Sequence, residues 1–346
     1  SSGTTGWPKG IFHAHKDYPL TAEFYGVNTL QIQASDRSFA ASKLFFTYGI
    51  SGNLILSWYV GASMVIYAHS PRMAQGILDT IDRFKPTVFY NVPTGYINIL
   101  SVPSLIEKYD LSSLRICVSA GEPLPVSLWE AWRTKVGLEI YEHIGCTETI
   151  APFLANSPGN VRAGSSGTSC SGYEVKIVDH DGAPVAVGDV GSLMVKGETT
   201  AIFYLHQYEK SRETFCGEWL FTGDKYTMDS DGFYWHAGRV DDMFKVGGLW
   251  VSPTEVEGVL AGHPAVLECA VVGQQDRQAM VKPKAYVCLR TGYTASDNLR
   301  HDLLRYCDGH LAMHKCPFWI EFVADLPKTA TGKIQRFKLR AEEPSQ

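Results

Sequence analysis

LEIYEHIGCTET, residues 138–149, holds the reading that decides the fold. The apolar run Leu138–Ile144 stops at Gly145 and is followed by Cys146, Thr147 and Glu148. A short apolar run bounded by turn residues reads as a buried strand. Similar runs stand upstream at Ser63–Tyr67, Thr87–Val92 and Leu114–Ser119, the last followed by Gly121-Glu122-Pro123. Amphipathic stretches, Arg72–Phe84 and Val126–Lys135, lie between them. Such alternation predicts βαβ units and a mostly parallel sheet. Open α/β sheets place ligands beyond the C-terminal ends of their strands, where both polar turns sit.

The pattern changes from Gly164 onward. Tyr173–Val178 alternates, Asp181-Gly182 marks a turn, and Gly191–Val195 follows; Trp219–Gly223 and Phe233–Ala237 flank a turn at Asp229–Gly232. This predicts a β-rich subdomain. GRVDDMFKVGG (Gly238–Gly248) is polar and glycine-flanked and reads as a linker. Beyond it, Ser252–Leu260 opens a helix, Val266–Val272, Lys284–Leu289 and Trp319–Val323 read as strands, and Ser296 caps a helix through Ala312. In that helix Leu299, Leu303, Tyr306 and His310 share a face. The expected fold class is therefore α/β: a large domain with a mostly parallel sheet and a β-rich subdomain over 1–239, and a small α+β domain over 240–346.

The bulk agrees with a folded protein of two domains or three. The chain has 346 residues, 45% of them hydrophobic, enough to bury a sizeable core. A formal net charge of −5 argues against a nucleic-acid partner. The longest apolar run, Leu54–Ile66, is broken by Trp58, Gly61 and Ser63, so no membrane span is expected. The eight cysteines show no C-x-x-C pair and no zinc spacing with histidine, and read as free thiols of a reducing cytosol.

Both ends carry chemistry. SSGTTGWPKG (Ser1–Gly10) is a hydroxyl- and glycine-rich loop ending in a lysine. Ser1, Ser2, Gly3, Thr4, Thr5 and Lys9 offer the N–H groups, hydroxyls and charge that cradle phosphates. It is not a Walker loop, since Lys9 stands in Pro-Lys-Gly, and alone such a run is often a flexible terminus. Phosphate loops normally follow a buried strand and none precedes Ser1, so the expectation is the later part of a longer protein. PKTATGKIQR (Pro327–Arg336) places Lys333 in a turn able to deliver an ammonium to a site built elsewhere. Between them, Glu148 is a carboxylate suited to Mg²⁺ and Thr147 a hydroxyl suited to a phosphate oxygen, although Thr-Glu also simply starts helices. Asp224, after Gly223 in WLFTGD, can accept from both ribose hydroxyls with Arg239 nearby. The plain alternatives are a turn aspartate, a surface arginine and a solvated lysine.

In this order, SSGTTGWPKG, GEPLP, GCTET, WLFTGD, GRVDDMFKVGG and PKTATGKIQR resemble the adenylate-forming acyl-CoA synthetase superfamily over essentially the whole chain. Phe46-Thr47-Tyr48-Gly49, Ser157–Arg162 (SPGNVR) and Val246–Pro253 (VGGLWVSP) make the chain most similar to the benzoate-CoA (aryl-CoA) ligase group. The resemblance implies attack of a small carboxylic acid on ATP, giving an acyl-adenylate and pyrophosphate, then transfer to coenzyme A. It implies Lys333, Thr147 and Glu148 as catalytic residues, with Glu148 the Mg²⁺ ligand. It puts Gly121, Glu122, Pro123, Ile144 and Gly145 beside adenine, Asp224 and Arg239 at the ribose, and Lys245 and Gly247 among the cofactor-binding residues. Thr47, Tyr48, Gly145, Ile150 and Ala151 are the implied acyl pocket, and Asp241 the hinge on which the small domain turns.

Two positions depart from the pattern. Ile144 stands where many relatives stack an aromatic ring on adenine. Ala151 stands where benzoate-type ligases tend to carry histidine, which enlarges the implied pocket beyond that for unsubstituted benzoate. The resemblance also leaves room for a homodimer and for a lysine acetyltransferase acting on Lys333. Alternatives of other classes are an adenylation enzyme loading a carrier protein, a luciferase-type oxidase, and an inactive fragment of a ligase.

Overall fold

The computed structural model describes residues 9–71, 73–328 and 334–340. The described chain divides into two compact units: residues up to Thr222 with Tyr226–His236, and Gly223–Lys225 with the residues from Ala237 on.

The first unit is built on β1 (Arg37–Ala40), β2 (Ser63–Val65), β3 (Val88–Asn91), β4 (Ile116–Ser119), β5 (Ile140–Gly145), β6 (Pro152–Ala155) and β7 (Thr168–Ser169), in sheet order β2-β1-β3-β4-β5-β6-β7. Strands β1 to β5 run parallel, and β6 and β7 return antiparallel. The predicted parallel sheet is present, and its physical reason is visible strand by strand. Val88 and Tyr90 of β3 and Ile116 and Val118 of β4 face one core with Tyr25, Leu56 and Phe153. Phe89 and Cys117 face the other, with Ile77, Ile81, Tyr96 and Trp132 from the crossover helices. Both faces are covered, so β3 and β4 read as largely apolar runs. Helices Ala74–Phe84 and Val126–Val136 match the amphipathic stretches; Arg72 lies outside the described residues. Gly137, at φ 80°, ends the second helix in the left-handed conformation that favours glycine.

The β-rich subdomain follows with β8 (Tyr173–Val178), β9 (Gly191–Gly197), β10 (Phe215–Cys216), β11 (Trp219–Met228) and β12 (Tyr234–Arg239), in order β10-β11-β9-β8, with β12 also paired to β11.

In the second unit the expected linker is folded. Phe244–Val246 (β13) and Leu249–Val251 (β14) form a hairpin. Its two turn residues, Gly247 and Gly248, have φ of 57° and 86°, which two-residue hairpin turns require. Only Val246 and Val251 are buried there, so the short strands were hidden in a polar stretch. β15 (Val266–Gln275) pairs antiparallel with β16 (Val281–Leu289), which pairs parallel with β17 (Trp319–Phe322). Alternate residues again serve two cores. Val271, Ala285 and Val287 pack with Val256, Leu260 and Leu303, whereas Ala270, Val272, Tyr286 and Cys288 pack with Leu326 and Leu339. Ser252 and Ser296 cap the helices Pro253–Ala261 and Asp297–Asp308 by accepting from Glu255 N–H (3.3 Å) and Leu299 N–H (3.2 Å). The second helix stops four residues short of the predicted Ala312, at Gly309, whose N–H folds back to Arg305.

None of the eight cysteines forms a disulfide; Cys216 is exposed, Cys146 and Cys316 are half-buried, and the other five are buried. Among the described residues no helix is long and apolar enough to cross a membrane.

Two glycines separate backbone strain from steric exclusion. Gly167 (φ 85°) has no room for a side chain, because a Cβ would lie 1.9 Å from the Ala155 backbone, whereas Gly182 (φ 81°) faces open space. Gly182→Ala should cost about 1–2 kcal/mol from the left-handed conformation alone. Gly167→Ala should cost well above that, because β6 must move. Equal losses for the two variants in denaturant titrations of the intact protein would contradict the packing described.

Candidate functional site

The turn at the end of β5 is tightly determined. A bulge separates Ile144 from Gly145, which faces Pro152 of β6. A Cβ on Gly145 would sit 2.8 Å from the Ala151 carbonyl oxygen, so only glycine fits. The Thr149 hydroxyl reaches the carbonyls of Cys146 (3.2 Å) and Ala151 (2.7 Å), and the Thr149 carbonyl accepts from Thr199 Oγ1 at 2.7 Å. Ile150 is held at φ 57°, a conformation β-branched residues rarely adopt. Such strain persists only where its surroundings impose it.

This turn presents Thr147 and Glu148. The Thr147 hydroxyl accepts from Thr47 Oγ1 at 3.3 Å, and its carbonyl accepts from His13 Nε2 at 2.7 Å. The other His13 nitrogen lies 2.9 Å from buried Asp17, whose carboxylate also accepts from Ala14 N–H. Glu148 is buried; its Oε1 accepts from the Tyr204 hydroxyl at 2.8 Å, and its carbonyl accepts from Ala201 N–H at 2.7 Å. Burial, together with the Glu148 carboxylate, pushes the Tyr204 phenol well up, keeping it a donor. Lys9 Nζ stands 4.6 Å from the centre of the Tyr204 ring. Lys9, Tyr204, Glu148, Thr147 and Thr47 are thus linked by direct contacts. A carboxylate beside a hydroxyl suits a Mg²⁺ ion that keeps several waters and takes phosphate oxygens. Ser1, Ser2, Gly3, Thr4 and Thr5 lie outside the described residues.

Tyr48 lies behind this turn. Its hydroxyl shares its proton between the carbonyls of Asn91 (3.1 Å) and Val118 (3.0 Å), at the ends of β3 and β4. Its ring meets those of Tyr90 and His143 edge-on. Burial pushes His143 down to about 3, so its ring is neutral, and Nδ1 lies 2.5 Å from the Tyr25 hydroxyl. Ile150 and Ala151 are buried and Ile144 is half-buried.

Gly121 (φ 93°), Glu122 and Pro123 form the loop after β4. The residue that fixes this loop is Glu142 of β5, which had no signal in the sequence. Glu142 is buried; Oε2 accepts from Leu124 N–H at 3.1 Å and Oε1 from Ser166 Oγ at 3.3 Å, while Ser166 Oγ lies 3.0 Å from the Tyr226 hydroxyl. Burial raises its carboxyl from 4.5 to about 8. His13 and Tyr204 were missed for a similar reason: each meets its partner across a long stretch of chain.

In the second unit, Arg239 Nη1 donates to Asp224 Oδ1 at 3.2 Å, and Asp224 is buried. Asp241 is exposed in the turn after β12. Lys245 Nζ lies 4.7 Å from the centre of the Trp250 ring, its partner across the hairpin that Gly247 and Gly248 turn. Lys333 lies outside the described residues.

The sequence profile of the AMP-binding enzyme family matches residues 1–205, and that of the AMP-binding enzyme C-terminal domain matches 255–333. The chain belongs to the AMP-binding enzyme family. Within this family it is 46% identical to benzoate–CoA ligase of Thauera aromatica over 99% of its own length and 64% of that relative. Among solved structures it matches an anthranilate CoA ligase in complex with anthranoyl-AMP with a TM-score of 0.95 and 56% identity, covering 99% of this chain and 66% of that one. A benzoate CoA ligase from Burkholderia xenovorans LB400 matches with a TM-score of 0.90 and 45% identity, covering 96% and 67%. The chain thus spans about two thirds of the length of these AMP-binding enzymes. The likeness to benzoate-CoA ligases expected from the motifs is present in both comparisons.

A raised carboxyl predicts a pH signature. Folded Glu142 holds its proton to about pH 8 while the unfolded chain releases it near 4.5. The native state therefore binds the extra proton, and its stability falls as pH rises through that window, by up to about 1.4 kcal/mol per unit. Glu142→Gln, neutral throughout, should gain stability relative to the native protein from pH 5 to 8 and level off above. A pH-independent difference in denaturation midpoint would refute the buried neutral carboxyl.

Proposed function

We propose that the protein activates a benzoate-like aromatic carboxylic acid with ATP and transfers the acyl group to coenzyme A. A carboxylate oxygen attacks the α-phosphorus as the bond to pyrophosphate breaks. The CoA sulfur then attacks the acyl carbon, AMP leaves, and the thiol proton passes to solvent. The 46% identity to a benzoate–CoA ligase along 99% of the chain supports this reading most strongly. The anthranilate ligase at 56% identity favours a ring with a substituent, as does Ala151 in the acyl pocket.

In this reading, residues 1–239 are the C-terminal part of the large AMP-binding domain, and 240–346 the small mobile domain carrying Lys333. Thr4, Thr5, Lys9 and Thr147 hold phosphate oxygens, and Glu148 holds Mg²⁺, oriented by the Tyr204 hydroxyl. Bound there, Mg²⁺ would offset phosphate charge. Gly121–Pro123 and Ile144 flank adenine, with Glu142 holding the first of these loops. Asp224 accepts from the ribose hydroxyls beside Arg239. Tyr48, Thr47, Gly145, Ile150 and Ala151 surround the acid. Lys333 offsets charge developing on the α-phosphate, then leaves as the small domain turns about Asp241 for the CoA step, which Lys245 and Gly247 serve. Acetylation of Lys333 would remove that charge. Eight unpaired thiols suit a reducing, cytoplasmic setting.

The test is pyrophosphate release by the intact protein over a panel of acids that includes benzoate, 2-aminobenzoate, hydroxybenzoates and aliphatic acids. Aromatic acids should release pyrophosphate and, with CoA, yield the thioester; preference for an aliphatic acid, or no release, would overturn the proposal. Asp224→Ala should raise the KM for ATP and leave that for the acid unchanged. Lys333→Ala should lose about 3–4 kcal/mol of transition-state stabilisation in adenylation and spare thioester formation from a supplied acyl-adenylate.

A further inference from the structure

Glu148 is clamped through its backbone as well as its side chain. The peptide unit before it carries the Thr147 carbonyl, which accepts from His13 Nε2 at 2.7 Å and from Ile150 N–H at 3.3 Å. The unit after it carries the Glu148 carbonyl, which accepts from Ala201 N–H at 2.7 Å. The carboxylate accepts from the Tyr204 hydroxyl at 2.8 Å. Peptide units are planar, so holding the two on either side fixes both backbone torsions of Glu148 and the direction in which its side chain leaves the chain. His13 is seated by its own neighbours. Ile11 and Tyr204 pair in an antiparallel bridge, Leu205 N–H donates to the Gly10 carbonyl at 2.8 Å, and the Phe12 ring stacks on that of Phe203 with centres 5.1 Å apart. His13 Nδ1 lies 2.9 Å from Asp17 Oδ2, which also accepts from Ala14 N–H at 2.9 Å. The side chains of His13 and Asp17 are 12% and 4% exposed, so water has little access to replace either contact.

A backbone carbonyl only accepts, so Nε2 carries the hydrogen of the Thr147 contact, and Asp17 on the other ring nitrogen sets the plane of the imidazole. The turn needs such a brace, because Ile150 holds it in a left-handed backbone that would otherwise relax. Side chains one step removed from a metal ligand orient it, and losing one typically costs about 10–100-fold in metal affinity.

We infer that His13, anchored by Asp17, is a positioning residue for Glu148: by holding the peptide unit between Thr147 and Glu148 it aims the carboxylate at a divalent cation bound with ATP. The inference rests on the reading of Glu148 as the Mg²⁺ ligand, so Glu148→Gln is measured beside His13→Ala, His13→Gln and Asp17→Ala in the intact protein. ATP binding is followed by calorimetry, once with Mg²⁺ and once with EDTA. Thioester formation from synthetic acyl-adenylate and CoA is the second readout, since an acyl-adenylate carries no pyrophosphate for a metal to hold. His13→Ala and Asp17→Ala should weaken ATP binding in Mg²⁺ by about tenfold or more, leave binding in EDTA unchanged and spare the thioester step. His13→Gln, which keeps an N–H able to reach the carbonyl and loses the ring, should fall between. If Glu148→Gln removes the advantage of Mg²⁺ and the His13 and Asp17 variants keep it, the positioning role is wrong. Equal losses in Mg²⁺, in EDTA and in the thioester step would make His13 a support of the fold alone, and would also overturn the role. If Glu148→Gln keeps the full advantage of Mg²⁺, the reading of Glu148 is wrong and the inference goes with it. Should His13→Ala fail to fold, His13→Gln and Asp17→Ala decide on the same readouts.

Discussion

The reversal of the chain between Gly145 and Pro152 is the constraint on which the candidate site depends. Here the sheet changes from parallel to antiparallel, within a turn too tight for any side chain at Gly145. The Thr149 hydroxyl closes the turn on itself, and Ile150 takes up the remaining strain in a left-handed backbone. A looser return would release Thr147 and Glu148 from their partners. The backbone is thus committed first, and the functional side chains inherit their positions from it.

Around this turn, polar groups are used where apolar ones would pack as well. Glu142, His13 with Asp17, Tyr204 and Ser166 are each buried or half-buried, and each joins segments distant in sequence. A buried hydrogen bond adds little net stability, but leaving one partner unsatisfied is costly. Such groups therefore specify one loop arrangement among several of similar apolar burial. The same logic runs through the second unit, where carboxylates on the helix Pro253–Ala261 and on β15 receive cations from the end of the chain.

What the sequence disclosed follows from this division. Strands β3 to β5 were legible because both faces of the sheet are covered, so their residues form apolar runs. Strand β1 was not, because its core position Ser38 is polar, satisfied by the Asn53 and Ser57 side chains. The hairpin of β13 and β14 hid behind two glycines and an exposed lysine. At the site, glycine, threonine and glutamate in fixed order announced the turn. Neither the Tyr204 hydroxyl on Glu148, 56 residues away, nor Glu142 beneath the Gly121–Pro123 loop could be read, since a pairing across the fold leaves no local pattern.

The distribution of the cysteines has a practical consequence for chemistry on this protein. Burial pushes the thiols of Cys117, Cys170 and Cys307 up to about 12 and that of Cys288 to about 11, so little thiolate forms there at neutral pH. Cys216, in β10, is the exposed one. Electrophiles react with the thiolate they can reach. A maleimide dye at neutral pH thus selects Cys216, placing a fluorophore on the β-rich subdomain of the unaltered sequence and making its motions open to optical measurement.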